Sequence, residues 1–462
     1  MQLAQSPHAH ALNLSRLQDF HLANHADSAQ NPTVPMSRQH DDSRALAAFA
    51  PALLLIAAAF LINYIDRGNI SVAGNLIRKE FRLSDSQLGI LFAAFFATYT
   101  LMQFVIGWLV DRIDANRILA AGFLLWSVAT ATTGLVRGFA LLLAMRFILG
   151  IGESVALPCG SKILAKHLPE HHRGFASGAL MSSLKFGNAA GTLGAGILMS
   201  HFGWRPVFIG VGLLSLIWLP AWNKWKPLGG RVVPSVVPQI AQRRNLGWAI
   251  ISHRSFWGTS AGHFCSNYLF YFMITWLPQY LQRGRSLSLA TMSMVAGVYY
   301  AVDGISAIST GWLQDFCIRK GGSPTTVRKA AMAIGFSTAA VAVLACAVAG
   351  SHSYLPWLLA AGWGCGMTGP GLYTFPQTLA GPEAVGKWYG WQNGFANLSG
   401  VVGPALTGFV LQHTGTFIAP FAITASVCVV GVVAWVFVVG RVEPVSWTPQ
   451  EQLVTAPAGA GL

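Results

Sequence analysis

Runs of about twenty mostly apolar residues recur from one end of this chain to the other, and each is long enough to cross a bilayer as a helix. Inside lipid every backbone N–H and C=O must be satisfied within the segment, so such runs can fold only as helices or as a closed barrel. Twelve spans can be placed, at 46–77, 87–109, 117–136, 138–160, 174–200, 204–223, 257–281, 287–312, 328–350, 354–378, 388–412 and 416–440. The expected fold class is therefore an all-α membrane protein with twelve transmembrane helices. Only 10% of the 462 residues are charged, against about 25% in a soluble domain. The net charge of +14 forms no continuous basic patch. It lies in short clusters between spans, a pattern of membrane orientation and not of nucleic-acid binding.

Residues 1–44 are polar and rich in histidine and have no hydrophobic core of a signal peptide, so they read as a disordered cytoplasmic tail, with Met36 a second candidate start. The one long loop, 224–256, reads as a cytoplasmic linker between an N-terminal bundle at 45–223 and a C-terminal bundle at 257–440, with a cytoplasmic tail at 441–462. With both termini inside, cytoplasmic segments hold 20 of the 30 Lys and Arg and external loops hold 7, as the positive-inside rule requires. "GWLVD" (107–111) returns as "GWLQD" (311–315) after 204 residues, which supports two repeated six-helix halves. The six cysteines are scattered without a CxxC pair and read as small buried apolar residues.

Charges inside the spans carry the chemistry, because each costs roughly 2.5–3.5 kcal/mol at the bilayer centre. "FLINYIDRGNISVAGNL" (60–76) places Asp66 beside Arg67, and "RFILGIGE" (146–153) places Arg146 and Glu153 seven residues apart, on one helix face. Arg67 and Arg146 suit an anion, since a guanidinium donates paired hydrogen bonds to a carboxylate. Asp66 and Glu153 are titratable carboxylates whose protonation can depend on whether an anion occupies the arginines. A buried ion pair that only braces helices is the alternative. The second half offers neutral groups, Asn267, Tyr268, Gln392, Asn393 and Asn397, which suit either substrate hydroxyls or helix–helix bonds. His263 is either a substrate or pH-sensing group or a packing histidine. Lys185 and Asp303 lie at similar depth, each 12 residues from a cytoplasmic charge. No HExxH, GxSxG or P-loop is present, so neither enzyme chemistry nor ATP-driven pumping is expected.

"GWLVDRIDANR" resembles the loop signature of the major facilitator superfamily: Gly107, Asp111, Arg112 and Arg117 fit, while Asp114 and Asn116 depart, and Asp315 stands in the second copy. "NYIDRGNISVA" (63–73), "RFILGIGE", "FCSNYLFYFMITWLPQYL" (264–281) and "GFANLSG" (394–400) are similar to the anion:cation symporter family, which includes galactonate, glucarate and hexuronate transporters. The resemblance implies two pseudo-symmetric six-helix bundles. It implies proton sites at Asp66 and Glu153, substrate contact at Arg67, and cavity aromatics at Tyr64 and Tyr99. Helices 5 and 8 face each other in that fold, so Lys185 and Asp303 are expected to pair as an interdomain gate. Leu184 stands where sugar-acid members carry glutamine, which turns attention to dicarboxylates or aromatic acids. The expected function is import of a small organic anion by proton symport, with substrate contacts at Tyr64, Arg67, Tyr99, Arg146, His263, Asn393 and Asn397. The alternatives are an exporter or exchanger, and a transport-dead sensor. No cofactor beyond the coupling proton is expected. External loops without Asn-x-Ser/Thr point to a bacterial inner membrane; a monomer with both termini cytoplasmic is expected.

Overall fold

A computed structural model describes residues 36–110, 112–168, 170–227, 246–350 and 353–447. The called N-terminal tail, much of the linker and most of the C-terminal tail lie outside them. The chain divides into two compact units, Met1–Ala50 and Pro51–Leu462.

Among the described residues the chain makes twelve helical passages. They are α1 (Met36–Phe81), α2 (Asp85–Leu109), α3 (Ala115–Thr133), α4 (Phe139–His167), α5 (Glu170–Phe202), α6 (Trp204–Trp225), α7 (Arg254–Gln279), α8 (Leu289–Arg319), α9 (Pro324–Val348), α10 (Tyr354–Thr368, continued by 371–380), α11 (Ala384–Thr414) and α12 (Ile418–Val438). Eight of them are long and apolar enough to cross a membrane by length and composition. The other four, α3, α5, α7 and α10, fall short in length or in apolar content, and for α7 the physical reason is plain. Nearly all of α7 is buried, including Ser260, His263, Ser266, Thr275 and Gln279, and a helix facing protein on all sides can carry polar groups that a lipid-facing one cannot. Large apolar side chains are instead exposed elsewhere on the bundle, among them Leu213, Leu214, Ile217, Val341 and Val433. All six cysteines are free thiols, five of them buried.

Local signals set the ends of these helices. Ser84 caps α2 by accepting from Gln87 N at 3.1 Å, while the Gln87 side chain reaches back to Ser84 N, a reciprocal capping box. Ser288 caps α8 in the same way through Thr291 N. Two residues before each serine, Arg82 and Ser286 turn the chain with φ of 51° and 56°. All these pairs are 204 residues apart, the offset of the "GWL" echo, so the repeat extends from sequence into backbone conformation. Asp114, the departure from the loop signature, is the N-cap of α3: its side chain accepts from Asn116 N and Arg117 N. Asx capping satisfies donors that no helical carbonyl can reach.

The first six passages pack among themselves (α2 on α4, α3 on α4 and α6), as do the last six (α7 on α11 and α12, α9 on α10 and α12). The two sets meet chiefly through α2 against α11 and α5 against α8. Glycines show that these seams are tight at one end and open at the other. At the end bearing the α1–α2 and α7–α8 turns, here the far face, a Cβ on Gly89 would stand 2.6 Å from Pro404 O, and one on Gly408 2.4 Å from Asp85 O. A Cβ on Gly196 of α5 would overlap Ser293 of α8. At the opposite, near face, Gly107, Gly178, Gly386 and Gly390 have nothing within 4 Å of that position.

Candidate functional site

The buried charges are assembled by close backbone packing around α4. A Cβ on Gly150 would lie 2.4 Å from Phe95 O, and one on Gly152 2.8 Å from Trp126 N. Glycine at both positions lets α4 sink against α2 and α3, and this carries Glu153 to full burial. There Glu153 Oε2 accepts from Arg67 Nε at 2.9 Å, the side chains being 0% and 5% exposed. Asp66 Oδ2 accepts from Thr130 Oγ1 at 3.2 Å. Asp66 is within electrostatic reach of both Glu153 and Arg146. Asp66 Oδ1, Glu153 Oε1 and Arg146 Nε have no hydrogen-bond partner among the described residues. The four charges named from the sequence therefore converge in one buried cluster.

Aromatic faces complete it. The Arg67 guanidinium lies 4.4 Å from the Tyr99 ring, 4.7 Å from Tyr64 and 5.0 Å from Phe95, and Arg146 lies 4.9 Å from Phe95. Ring faces attract cations and do so more strongly when water is excluded. Tyr271 OH donates to Asn397 Oδ1 at 2.6 Å, and Asn397 Nδ2 donates to Asn393 O at 2.9 Å.

A cavity of about 470 Å³ lies between α1, α5, α7, α8 and α10. Its walls include Tyr64, Leu184, Lys185, Phe270, Tyr300 and Tyr373, and it extends along Gly178 and Ile308 toward the near face. Of the residues singled out in the sequence, Tyr64 and Lys185 line it. Arg67, Tyr99, Arg146, Asp66, Glu153, Asn393 and Asn397 do not. The sequence reading sets an anion directly on Arg67 and Arg146; neither lines this cavity, and Arg67 lies behind Tyr64 with Glu153 and the rings around it. His263 is also off the cavity wall. It is 3% exposed, and its Nδ1 is 3.1 Å from Gln392 Nε2, the geometry of a satisfied packing histidine. Asn267 is half-buried and Tyr268 buried.

Lys185 Nζ donates to Asp303 Oδ2 at 2.5 Å across the α5–α8 seam, and lies 5.0 Å from the Phe270 ring. The loop motif is less engaged. Asp111 lies outside the described residues. Arg112 stacks on its own helix, 3.9 Å over Trp108, and Asp315 is exposed.

The far face carries a second charge cluster that sequence reasoning missed. Asp85 takes Arg283 at 2.5 and 3.0 Å and Arg78 at 3.2 Å. Beside it Asn75 donates to Gln282 at 3.3 Å and Gln279 to Ser71 O at 3.0 Å. These bonds join α1 and α2 to α7, and with the glycine contacts they close that face. Each charge sits at a helix end, where sequence alone reads it as an ordinary loop residue.

Residues 56–327 and 287–458 match the family described as Major Facilitator Superfamily. The chain is similar to sodium-dependent phosphate transport protein 1, chloroplastic, of Arabidopsis thaliana, at 30% identity over 83% of this chain and 77% of that one. It is 27% identical to the hexuronate transporter of Bacillus subtilis, over 86% of this chain and 96% of that one. Among solved structures, a bacterial homolog of the human lysosomal transporter Spinster, inward-facing and unoccupied, shares the fold at a TM-score of 0.70 and 19% identity, covering 85% of this chain and 95% of that one.

Proposed function

This chain belongs to the Major Facilitator Superfamily, and from that premise we propose that it moves a small organic anion together with a proton by alternating access between its two six-helix halves. As a family member it is an integral membrane transporter and not an enzyme. Its relatives bear the names of phosphate, hexuronate and other anion transporters, which supports an anionic cargo.

The observation that carries the reading is the buried Arg67–Glu153 pair at 2.9 Å, one side chain behind the cavity. Breaking a buried pair by removing one partner costs about 3–5 kcal/mol, because the other charge is left uncompensated. Arg67 therefore needs a negative partner at every stage, and Glu153 and the cargo compete for that place. Protonation of Glu153 releases Arg67 to the anion. Departure of the anion returns Arg67 to Glu153, which gives up its proton. Loading with one but not both is the costly state, and that cost is the coupling. Asp66, sharing the cluster with Arg146, is a second site for a proton. When Glu153 holds Arg67, the cation facing the cavity is Lys185, itself held by Asp303. The Lys and Arg excess supports a cytoplasmic near face, and symport with a proton moving down an inward gradient then runs as import.

The test is uptake into proteoliposomes under an imposed pH gradient, run with and without a sodium gradient, since the Arabidopsis relative's name makes sodium the competing ion. Glu153→Gln is expected to abolish gradient-driven accumulation while preserving exchange of labelled for unlabelled anion. Accumulation at the wild-type level in that variant removes Glu153 from the coupling step.

A further inference from the structure

We infer that the cavity selects a monocarboxylate with a flat apolar body, an aromatic acid, over a polyhydroxylated sugar acid or a dicarboxylate. The inference rests on the anion-transport reading above and names the cargo class of that same site.

The argument is about what the walls can bond. Around the cavity stand Phe270, Tyr300, Tyr373, Leu184, Ile305 and Leu372. The tyrosine hydroxyls are partly spent: Tyr300 OH donates to Met273 O at 3.2 Å, and Tyr373 OH reaches Met181 Sδ at 3.6 Å. The amides that would suit sugar hydroxyls lie off this wall, and two of them are bonded. Asn397 is bonded by Tyr271 and to Asn393 O, and Gln392 to His263 and Leu372 O. Besides Tyr64, the polar side chains left at the wall are Ser182 and Lys185. A sugar acid brings several hydroxyls that give up water on entry. Each one left unpaired costs roughly tenfold in affinity, and this wall offers too few partners to prevent it. The ring of an aromatic acid gives up no hydrogen bonds and stacks on Phe270 or Tyr300, and the single hydroxyl of a phenolic acid needs only one partner, which Ser182 on the wall can supply.

Charge bounds the other end of the cargo. Lys185 is the one cationic side chain among the residues lining the cavity, and Asp303 already sits against it at 2.5 Å. A single carboxylate can take another of the three Lys185 Nζ–H donors while Asp303 keeps its own, its ring beside Phe270, which is 5.0 Å from Nζ. While Glu153 holds Arg67, the second carboxylate of a diacid finds no second cation along the wall, at the cost of burying an unpaired charge.

The experiment uses the full-length protein, with 4-hydroxybenzoate, D-glucuronate, succinate and inorganic phosphate as probes. Binding is read by calorimetry and transport by counterflow in proteoliposomes. The expected result is at least tenfold tighter binding of 4-hydroxybenzoate than of any other probe, and counterflow driven by it. Leu184→Gln, which sets an amide on the wall, is expected to narrow the ratio to D-glucuronate several-fold. Phe270→Leu is expected to weaken 4-hydroxybenzoate several-fold and leave phosphate unaffected, so one variant suffices if the other does not fold. Tighter binding and counterflow of D-glucuronate, succinate or phosphate overturns the aromatic preference and leaves anion transport standing. Absence of counterflow with all four overturns both readings.

Discussion

At the scale of single residues, the fork of Arg67 is what a lysine cannot replace. Its Nε bonds Glu153 while its plane lies among Tyr64, Phe95 and Tyr99, and an ammonium is a strongly hydrated point charge without that planar reach. Arg67→Lys is therefore expected to lower initial uptake by at least tenfold at wild-type protein level in the membrane, measured in proteoliposomes of matched protein content. The Lys185–Asp303 pair makes a second residue-scale prediction. Lys185→Asp and Asp303→Lys each leave two like charges at the α5–α8 seam. The double swap is expected to recover several-fold more transport than either single change, and a swap no better than the singles removes the pairing from the cycle. The charges of this site were legible because an ionisable side chain inside an apolar run has few explanations. Of their aromatic partners, Tyr64 and Tyr99 came through the family resemblance, whereas Phe95 looks like any other core phenylalanine. Tyr271 had a usable signal that went unused. "NYIDR" at 63–67 and "NYLFY" at 267–271 stand 204 residues apart, so the repeat already aligned Tyr271 with Arg67. His263 was left open between a substrate group and a packing histidine, and its bond to Gln392 off the cavity wall has the geometry of the second.

At the scale of helices, the glycines divide into those that hold two backbones together and those that hold nothing. Gly89 and Gly408 belong to the first kind and Gly107 to the second. Gly408→Ala must push α2 off α11, since its Cβ would meet Asp85 O at 2.4 Å. Overpacking of this kind costs typically about 1–3 kcal/mol, and lower thermal stability in detergent is the expected outcome. Gly107→Ala meets nothing within 4 Å and adds a better helix former, so an unchanged or slightly raised unfolding temperature is expected. The comparison also tests whether the loop signature constrains Gly107 by packing in this state. Helix positions could be read from apolar run length because lipid imposes it. The partners of each helix could not, since a glycine in the sequence records that something comes close without recording what. The four passages of lower hydropathy were still found, because their polar residues are interspersed among apolar ones and do not break the run.

At the scale of the whole molecule, the two faces differ in what joins the halves, and that difference sets which way the cavity opens. The far face is closed by the Arg78–Asp85–Arg283 cluster, two side-chain bonds from α1 to α7 and the backbone contacts of α2 with α11. The near face has glycines without neighbours and the mouth of the cavity. No sequence pattern announces this state, because alternating conformations differ by only a few kcal/mol and the same residues must serve both. Asp85 is the pivotal charge. With a carboxylate there, two arginines from opposite halves are drawn together; with an amide, they repel at a distance of a few ångströms. Asp85→Asn is therefore expected to shift the population toward a form open at the far face. Spin labels at Lys79 and His413, both exposed on that face, would report it as a new longer component in the distance distribution. Because opening one face requires closing the other, the same variant is expected to slow alkylation of a cysteine placed at Gly178, on the cavity's near-face side. A longer distance with unchanged alkylation would mean that the far face loosens locally and that the halves do not rock as bodies. An unchanged distance would assign the closure to the α2–α11 glycine contacts alone.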